Sequence, residues 1–385
     1  MTSLRVEVAR TFEELDRLRP VWDELPWERE EAAHDYYVAR LRSRPEVQGP
    51  FAVLVHDEAG AIGGIAGRLE ERRLKTAVGY KVIYAPRVRL IHVVDGGIAI
   101  GNPAALRPLL DALEGALARG EADAVAFPPL ELGSELLAAV SALGDPSRRQ
   151  PLIAPWTRRR LVLPETFEEF VSSRSANTRW RIRRDAKRMA ATFGDRLTVE
   201  IIRDGSGVER LVGDSDRVAR STYQRALGAG FSDTPEQRAL ATVGLEHGWV
   251  RGYLLYLDGD PIAYWLCSTF GGTILIRTAG FDNAYAEHRP GIHLLMRVIE
   301  DACADPALRT LDFGPGDAAY KQQFSNETRV ERNVVLFAPT FRGRRINATR
   351  TAILAPAHLA RRALDATQLT DRLKARWRSR LRTEK

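Results

Sequence analysis

A chain of 385 residues, 44% hydrophobic and 28% charged with no low-complexity tract, is globular and long enough for two cores. No apolar run reaches the roughly 18–20 residues needed to cross a bilayer, and MTSLRVEVAR lacks the apolar stretch of a secretory signal. The cysteines, Cys267 and Cys303, lie in apolar surroundings and the seven histidines are scattered, so neither disulfide nor zinc spacing is present and a cytoplasmic, metal-free protein is expected.

The net charge of +7 is uneven: residues 341–385 hold 13 Lys/Arg against 3 Asp/Glu, or +10, which leaves −3 for the preceding 340. In chain order, LRVEV (4–8) precedes a helical stretch and then FAVLVHDEAGAIGGIAGRL (51–69), which reads as two strands around an Asp-containing turn. NPAALRPLLDALEGAL (102–117) is a helix with Pro103 in its first turn, and ADAVAF (122–127) is a short strand. The turn-rich DPSRRQPLIAPW marks a boundary near residues 155–165.

The plan then repeats. LTVEII (197–202) precedes a helical stretch and GYLLYLDGDPIAYWLCSTF (252–270), where Asp258-Gly259 signals a tight hairpin. TILIRTAGF (273–281) adds a strand. RPGIHLLMRVIEDA (289–302) places Ile292, Leu295, Met296, Ile299 and Cys303 on one helical face. RTLDFG (309–314) is the next strand. The following segment, LDFGPGDAAYKQQF (311–324), joins two aspartates, a Gly-Pro-Gly turn, a tyrosine and a lysine. Its counterpart in the first half, AFPPLELGSELLAAV (126–140), lacks the tyrosine, the lysine and the aspartates, so the fold alone does not demand them.

This order of elements resembles the GNAT acyltransferase fold, and two copies in tandem resemble the Fem-type aminoacyl transferases. The motifs SRSANTRWRIRRDAKRM (173–189), LDGDPIAYWL (257–266), GFDNAYAEHRPGIHLLMRVIEDA (280–302) and LDFGPGDAAYKQQF are most similar to a GNAT-like family associated with bacterial cellulose and exopolysaccharide biosynthesis. The resemblance implies a mixed α/β fold: an N-terminal GNAT-like domain over 1–160, a catalytic GNAT domain over 161–340, and a basic helical tail over 341–385. It implies an N-acyltransferase using acetyl-CoA or a longer acyl-CoA. The acceptor would be an amine on a sugar or another envelope precursor. A Fem-like, aminoacyl-tRNA-dependent transferase and a non-catalytic accessory protein of a polysaccharide synthase are the alternatives; nucleic acid is expected only under the first of these.

On that resemblance, Thr278, Ala279 and Gly280 would pair with the pantetheine arm. The helix opening at Arg289, Gly291, Ile292 and His293 would take the pyrophosphate, since free N–H groups and a positive dipole end attract anions. The run His288 to His293 departs from the Q/R-x-x-G-x-G/A loop at both ends, and Pro290 removes one donor. Tyr320 would protonate the leaving thiolate, Lys321 would stabilise developing charge, and Asp312 or Asp317 would face the amine. Asp317 is equally expected as a helix cap. Arg179 and Arg183, within a cluster that also holds Arg174, Arg181, Arg184, Lys187 and Arg188, suit phosphate recognition; the plainer reading is a solvated helix with Trp180 and Met189 packed inward. In the tail, Leu369, Leu373, Trp377 and Leu381 repeat every four residues among arginines, the pattern of a helix packed on the body or laid peripherally on the inner face of a membrane.

Overall fold

A computed structural model describes residues 4–366 apart from 80, 151–152 and 223–229. Two sheets dominate. The first has the order β1 (Arg5–Ala9), β2 (Val47–His56), β3 (Ala61–Arg73), β6 (Arg87–Ile100), β7 (Ala124–Ala126) and β16 (Val335–Phe337). Between β3 and β6 a separate hairpin, β4 (Thr76–Val78) and β5 (Lys81–Tyr84), joins neither sheet. The second sheet runs β10 (Leu197–Ile202), β11 (Val250–Leu257), β12 (Asp260–Phe270), β13 (Thr273–Phe281), β14 (Thr310–Pro315), β9 (Trp156–Val162), β15 (Glu327–Arg332) and β8 (Leu130–Glu131). In each, four antiparallel strands are followed by one parallel neighbour, β6 with β7 and β13 with β14. The helix Leu106–Ala118 makes the first crossover and Pro290–Ala304 the second. The mixed α/β architecture expected from the sequence is therefore the observed one, with the same strand pattern in each of the two sheets.

Local chemistry explains the elements. Asp258 and Gly259 both take positive φ, 52° and 84°, which is the turn that closes a two-residue hairpin between β11 and β12. Thr11 and Glu14 form a capping box on the helix Phe12–Trp22, and Thr234 caps Pro235–Glu246 with the proline in its first turn. One core packs Leu109, Leu113, Ile65, Val93 and Val125; the other packs Leu295, Ile299, Trp265, Cys267, Leu311 and Phe324.

The expected boundary near residues 155–165 coincides with a strand. Residues 156–162 form β9, seated in the second sheet between β14 and β15. The halves also exchange strands: β8 from the first pairs with β15, and β16, from the second, pairs with β7. The helix Phe341–Ala366 follows β16. Leu369, Leu373, Trp377 and Leu381 lie outside the described residues.

Candidate active site

The parallel ladder between β13 and β14 covers only Thr273–Leu275 against Thr310–Asp312. Beyond it the strands part. Gly314, at φ 70°, lies so close to the Ile276 carbonyl that a Cβ there would sit 3.0 Å from it, and the chain then turns away through Pro315 and Gly316. Among the described residues, 277–281 of β13 have no ladder partner on the β14 side, an edge able to accept an extended ligand as an added strand. A cleft of about 230 Å³ occupies the gap, lined by Trp265, Ala279, Gly280, Gly291, Ile292 and Tyr320 among others. Gly280 is required there: the place of its Cβ is taken by the Tyr264 ring, 2.6 Å away.

Tyr320 forms one wall. It packs edge-on against Trp265 and Phe313, at centroid distances of 5.9 and 6.2 Å, and Trp265 donates its indole N–H to the Gly291 carbonyl at 2.9 Å. The aromatic pair thereby couples the tyrosine to the start of the crossover helix. Sequence reading missed Trp265, since an apolar residue in a hairpin strand carries no signal of its own.

The neighbours of Tyr320 in the chain are committed elsewhere. Lys321 is buried and donates from Nζ to the Gly314 and Pro315 carbonyls, at 3.2 and 2.7 Å, so its ammonium clamps the turn. Burial pulls its pKa down, with Asp312 opposing. Asp312 is 1% exposed; its Oδ2 accepts from Arg158 at 2.7 Å and from Arg29 at 3.1 Å, and its Oδ1 accepts the Gly314 N–H. Burial would raise the Asp312 pKa, but the two guanidinium charges hold it below the usual carboxylate range. Asp317 does not cap the helix Ala319–Phe324, whose N-cap is Ala318; its exposed carboxylate accepts from Arg159 at 2.7 Å and Gln322 at 2.9 Å. Of the four residues expected to work together, only Tyr320 lines the cleft.

At the phosphate end the helix start is poor in free donors. Pro290 has no N–H, and the Ile292 and His293 amides both donate to the Arg289 carbonyl, which leaves the Gly291 N–H. Arg289 is in the left-handed region and its guanidinium pairs with Asp185 of the helix Ala176–Phe193. His293 faces a separate small recess with Ile182 and Asp185, and burial lowers its pKa. The expected cofactor residues thus divide. Ala279, Gly280, Gly291 and Ile292 line the cleft, while Arg289 and His293 point at that helix.

Thr278 lines another cavity, of about 470 Å³, bounded by Tyr36 and Arg40 of the first half and by Phe231, Glu236, Ser268 and Arg277 of the second. Ser268 Oγ and Arg40 Nε are buried there without a hydrogen-bond partner among the described residues. Arg277 bridges the halves, pairing with Glu31 and lying 3.5 Å from Glu30. Burial opposes ionisation of Glu31, yet Arg277 and Arg40 bring its pKa down to about 2; Glu30 is raised, by burial and then by its neighbour's charge.

On the helix Ala176–Phe193, Arg181, Arg183, Arg184, Lys187 and Arg188 are exposed, while Arg179 donates to the Arg174 carbonyl at 2.6 Å. Met189 packs inward as expected, but Trp180 does not: it is 57% exposed with the Arg184 guanidinium 4.7 Å above its ring. Asp185 and Met189 take the inward face of this helix, and Trp180 lies outside it.

Residues 176–322 match the family model of the acetyltransferase (GNAT) domain. No curated protein matches by sequence. Among solved structures the chain is similar to FemX, with a TM-score of 0.58 and 13% identity over 86% of this chain and 97% of that one. It is also similar to L-PGS from Bacillus licheniformis, at 0.52 and 12% over 87% and 96%. A conserved protein of unknown function from Bacteroides thetaiotaomicron gives 0.50 and 12% over 86% and 100%. At these identities the likeness is one of fold.

Proposed function

We propose that the chain, whose residues 176–322 match the acetyltransferase (GNAT) domain model, moves an acyl group from an activated carrier to an amine held between its two halves. The observation that carries this reading is the placement of two cavities against one strand. Ala279 and Gly280 line the cleft beside Tyr320, and the adjacent Thr278 lines the polar cavity bounded by Tyr36 and Arg40. A donor laid along the open edge of β13 and an amine entering from the other cavity would meet at these three residues. The amine nitrogen bonds to the acyl carbon, the bond from that carbon to the carrier breaks, and the leaving atom takes a proton from Tyr320 Oη; the amine's surplus proton passes to water.

Acyl-CoA is the donor expected of the domain. The edge of β13 suits its pantetheine arm, with glycines where a side chain would intrude. The polar lining of the other cavity suits a hydroxyl-bearing amine, in keeping with an amino sugar or envelope precursor; the tie to cellulose or exopolysaccharide synthesis rests on sequence resemblance alone. A second reading, aminoacyl transfer from tRNA, is favoured by one feature: Pro290, the Arg289–Asp185 pair and the occupied first-turn amides leave little to hold a pyrophosphate.

Thermal-shift titration with acetyl-CoA and longer acyl-CoAs should raise Tm, by ligand linkage. Tyr320→Phe should retain that shift while lowering kcat roughly 10²–10⁴-fold, the range for loss of a general acid. No shift with any thioester, together with salt-sensitive binding of aminoacyl-tRNA, would replace the first reading by the second. Unchanged kcat in Tyr320→Phe would remove the tyrosine from the mechanism.

A further inference from the structure

The hairpin of β4 and β5 lies outside both sheets, so nothing in the fold requires it to be apolar. Yet Val78, Val82 and Ile83 are 40, 47 and 50% exposed. Val82 and Ile83 are consecutive in a strand and so project from opposite faces. Around them, residues 72–87 carry Arg72, Arg73, Lys75, Lys81 and Arg87 and no acidic residue; Arg72 and Arg87 lie 3.1 and 3.8 Å from Glu70 and Glu71, which leaves Arg73, Lys75 and Lys81 as the cations nearest the tip. The base of the hairpin is fixed: Arg350, on the helix Phe341–Ala366, donates to the Leu74 and Lys75 carbonyls and to Thr76 Oγ1, at 3.2, 3.1 and 2.7 Å. From the same helix Arg342 donates to the Arg87 carbonyl at 2.6 Å. Beside it is a recess of about 280 Å³ lined by Glu71, Arg87, Val88, Arg89 and Arg342, the last paired with Asp123 at 2.9 Å. Phe341, next to Arg342, is 79% exposed.

We propose that this hairpin, the arginine recess at its base and Phe341 form a docking surface for an anionic lipid bilayer. The β-branched tip would enter the interfacial layer, the flanking lysines and arginines would meet lipid phosphates, and the recess would hold a headgroup. Charge selects this occupant over a second copy of the chain, because an isologous contact would set Arg73, Lys75 and Lys81 against their own copies. The surface is distinct from the C-terminal tail and does not depend on the acyl-transfer reading.

The test is co-sedimentation of the full chain with phosphatidylcholine vesicles, with and without phosphatidylglycerol. Binding should require phosphatidylglycerol and weaken as salt rises. In the full chain, Val82→Asp with Ile83→Asp should lower partitioning by about tenfold or more, since binding scales with buried apolar area. Because both side chains are exposed, Tm should stay unchanged. Arg87→Gln with Arg89→Gln should weaken binding to the anionic vesicles alone. A fluorophore on Ile83→Cys should shift to the blue on those vesicles, a readout that does not depend on the aspartate variants folding. Native-like binding by the hairpin variants, no fluorophore shift, or a dimer in solution that these substitutions dissolve would each overturn the proposal.

Discussion

Asp312 and Lys321 show how a reactive-looking side chain can be spent on architecture. A carboxylate that accepts from Arg158, Arg29 and a backbone amide is a weak base, because its proton affinity falls with every donor that stabilises the anion. Arg29 comes from the first half, so Asp312 is also a strut across the seam. Replacing it with asparagine leaves two guanidinium groups facing a neutral amide in a buried setting. Asp312→Asn should therefore cost about 3–5 kcal/mol of stability, as when one partner of a buried ion pair is removed. Urea unfolding checks this, while the pH profile of kcat/KM should keep its shape. A lost limb in that profile with unchanged stability would make Asp312 the base instead. The residue types of the segment were legible in the sequence, as was the contrast with the first half. Their partners were not: Arg158 and Arg29 are 154 and 283 positions away, and no local pattern encodes such a pairing.

At the level of elements, spacing and turn chemistry foretold the Asp258-Gly259 hairpin and the crossover helix, because both are set by neighbours a few positions apart. Periodicity says which face of a strand is buried and is silent on which sheet it joins, so the strand formed by residues 156–162 and the exchange of β8 and β16 went unread. The exchange has a consequence for independence. Leu336 is fully buried in the first core with Val334 and Ala338, yet all three belong in sequence to the second half. A chain ending at residue 150 would lack β16 and leave the outer edge of β7 unpaired, an exposed row of amides and carbonyls with a hole in the core beneath. It should show no cooperative melt by circular dichroism, and should aggregate. A sharp, reversible transition would show that the first half folds alone.

For the molecule as a whole, the seam between halves is ionic where the proposed acceptor cavity opens, and that gives it a pH signature. Arg277 of β13 meets Glu30 and Glu31 of the first half, and Arg40 joins Glu31 to Glu236. Glu31 titrates at about 2 in the folded chain, well below an unfolded glutamate near 4.3. A depressed folded pKa contributes stability that is present above the unfolded value and is lost as pH falls toward the folded one. Arg277→Met removes the charge that most strongly sets this shift and leaves two buried carboxylates beside each other. At pH 7 the variant should be less stable by about 3–5 kcal/mol, the cost of stranding buried charge. Near pH 4 the stranded carboxylates can take up protons, so the deficit should shrink; urea midpoints at the two pH values, read with unchanged m, measure it. An equal deficit at both would mean that Arg277 acts by packing. Since Arg277 also lines the cavity, its loss should raise the KM of an amine acceptor even where the protein remains folded, whereas a purely structural bridge would leave KM unchanged.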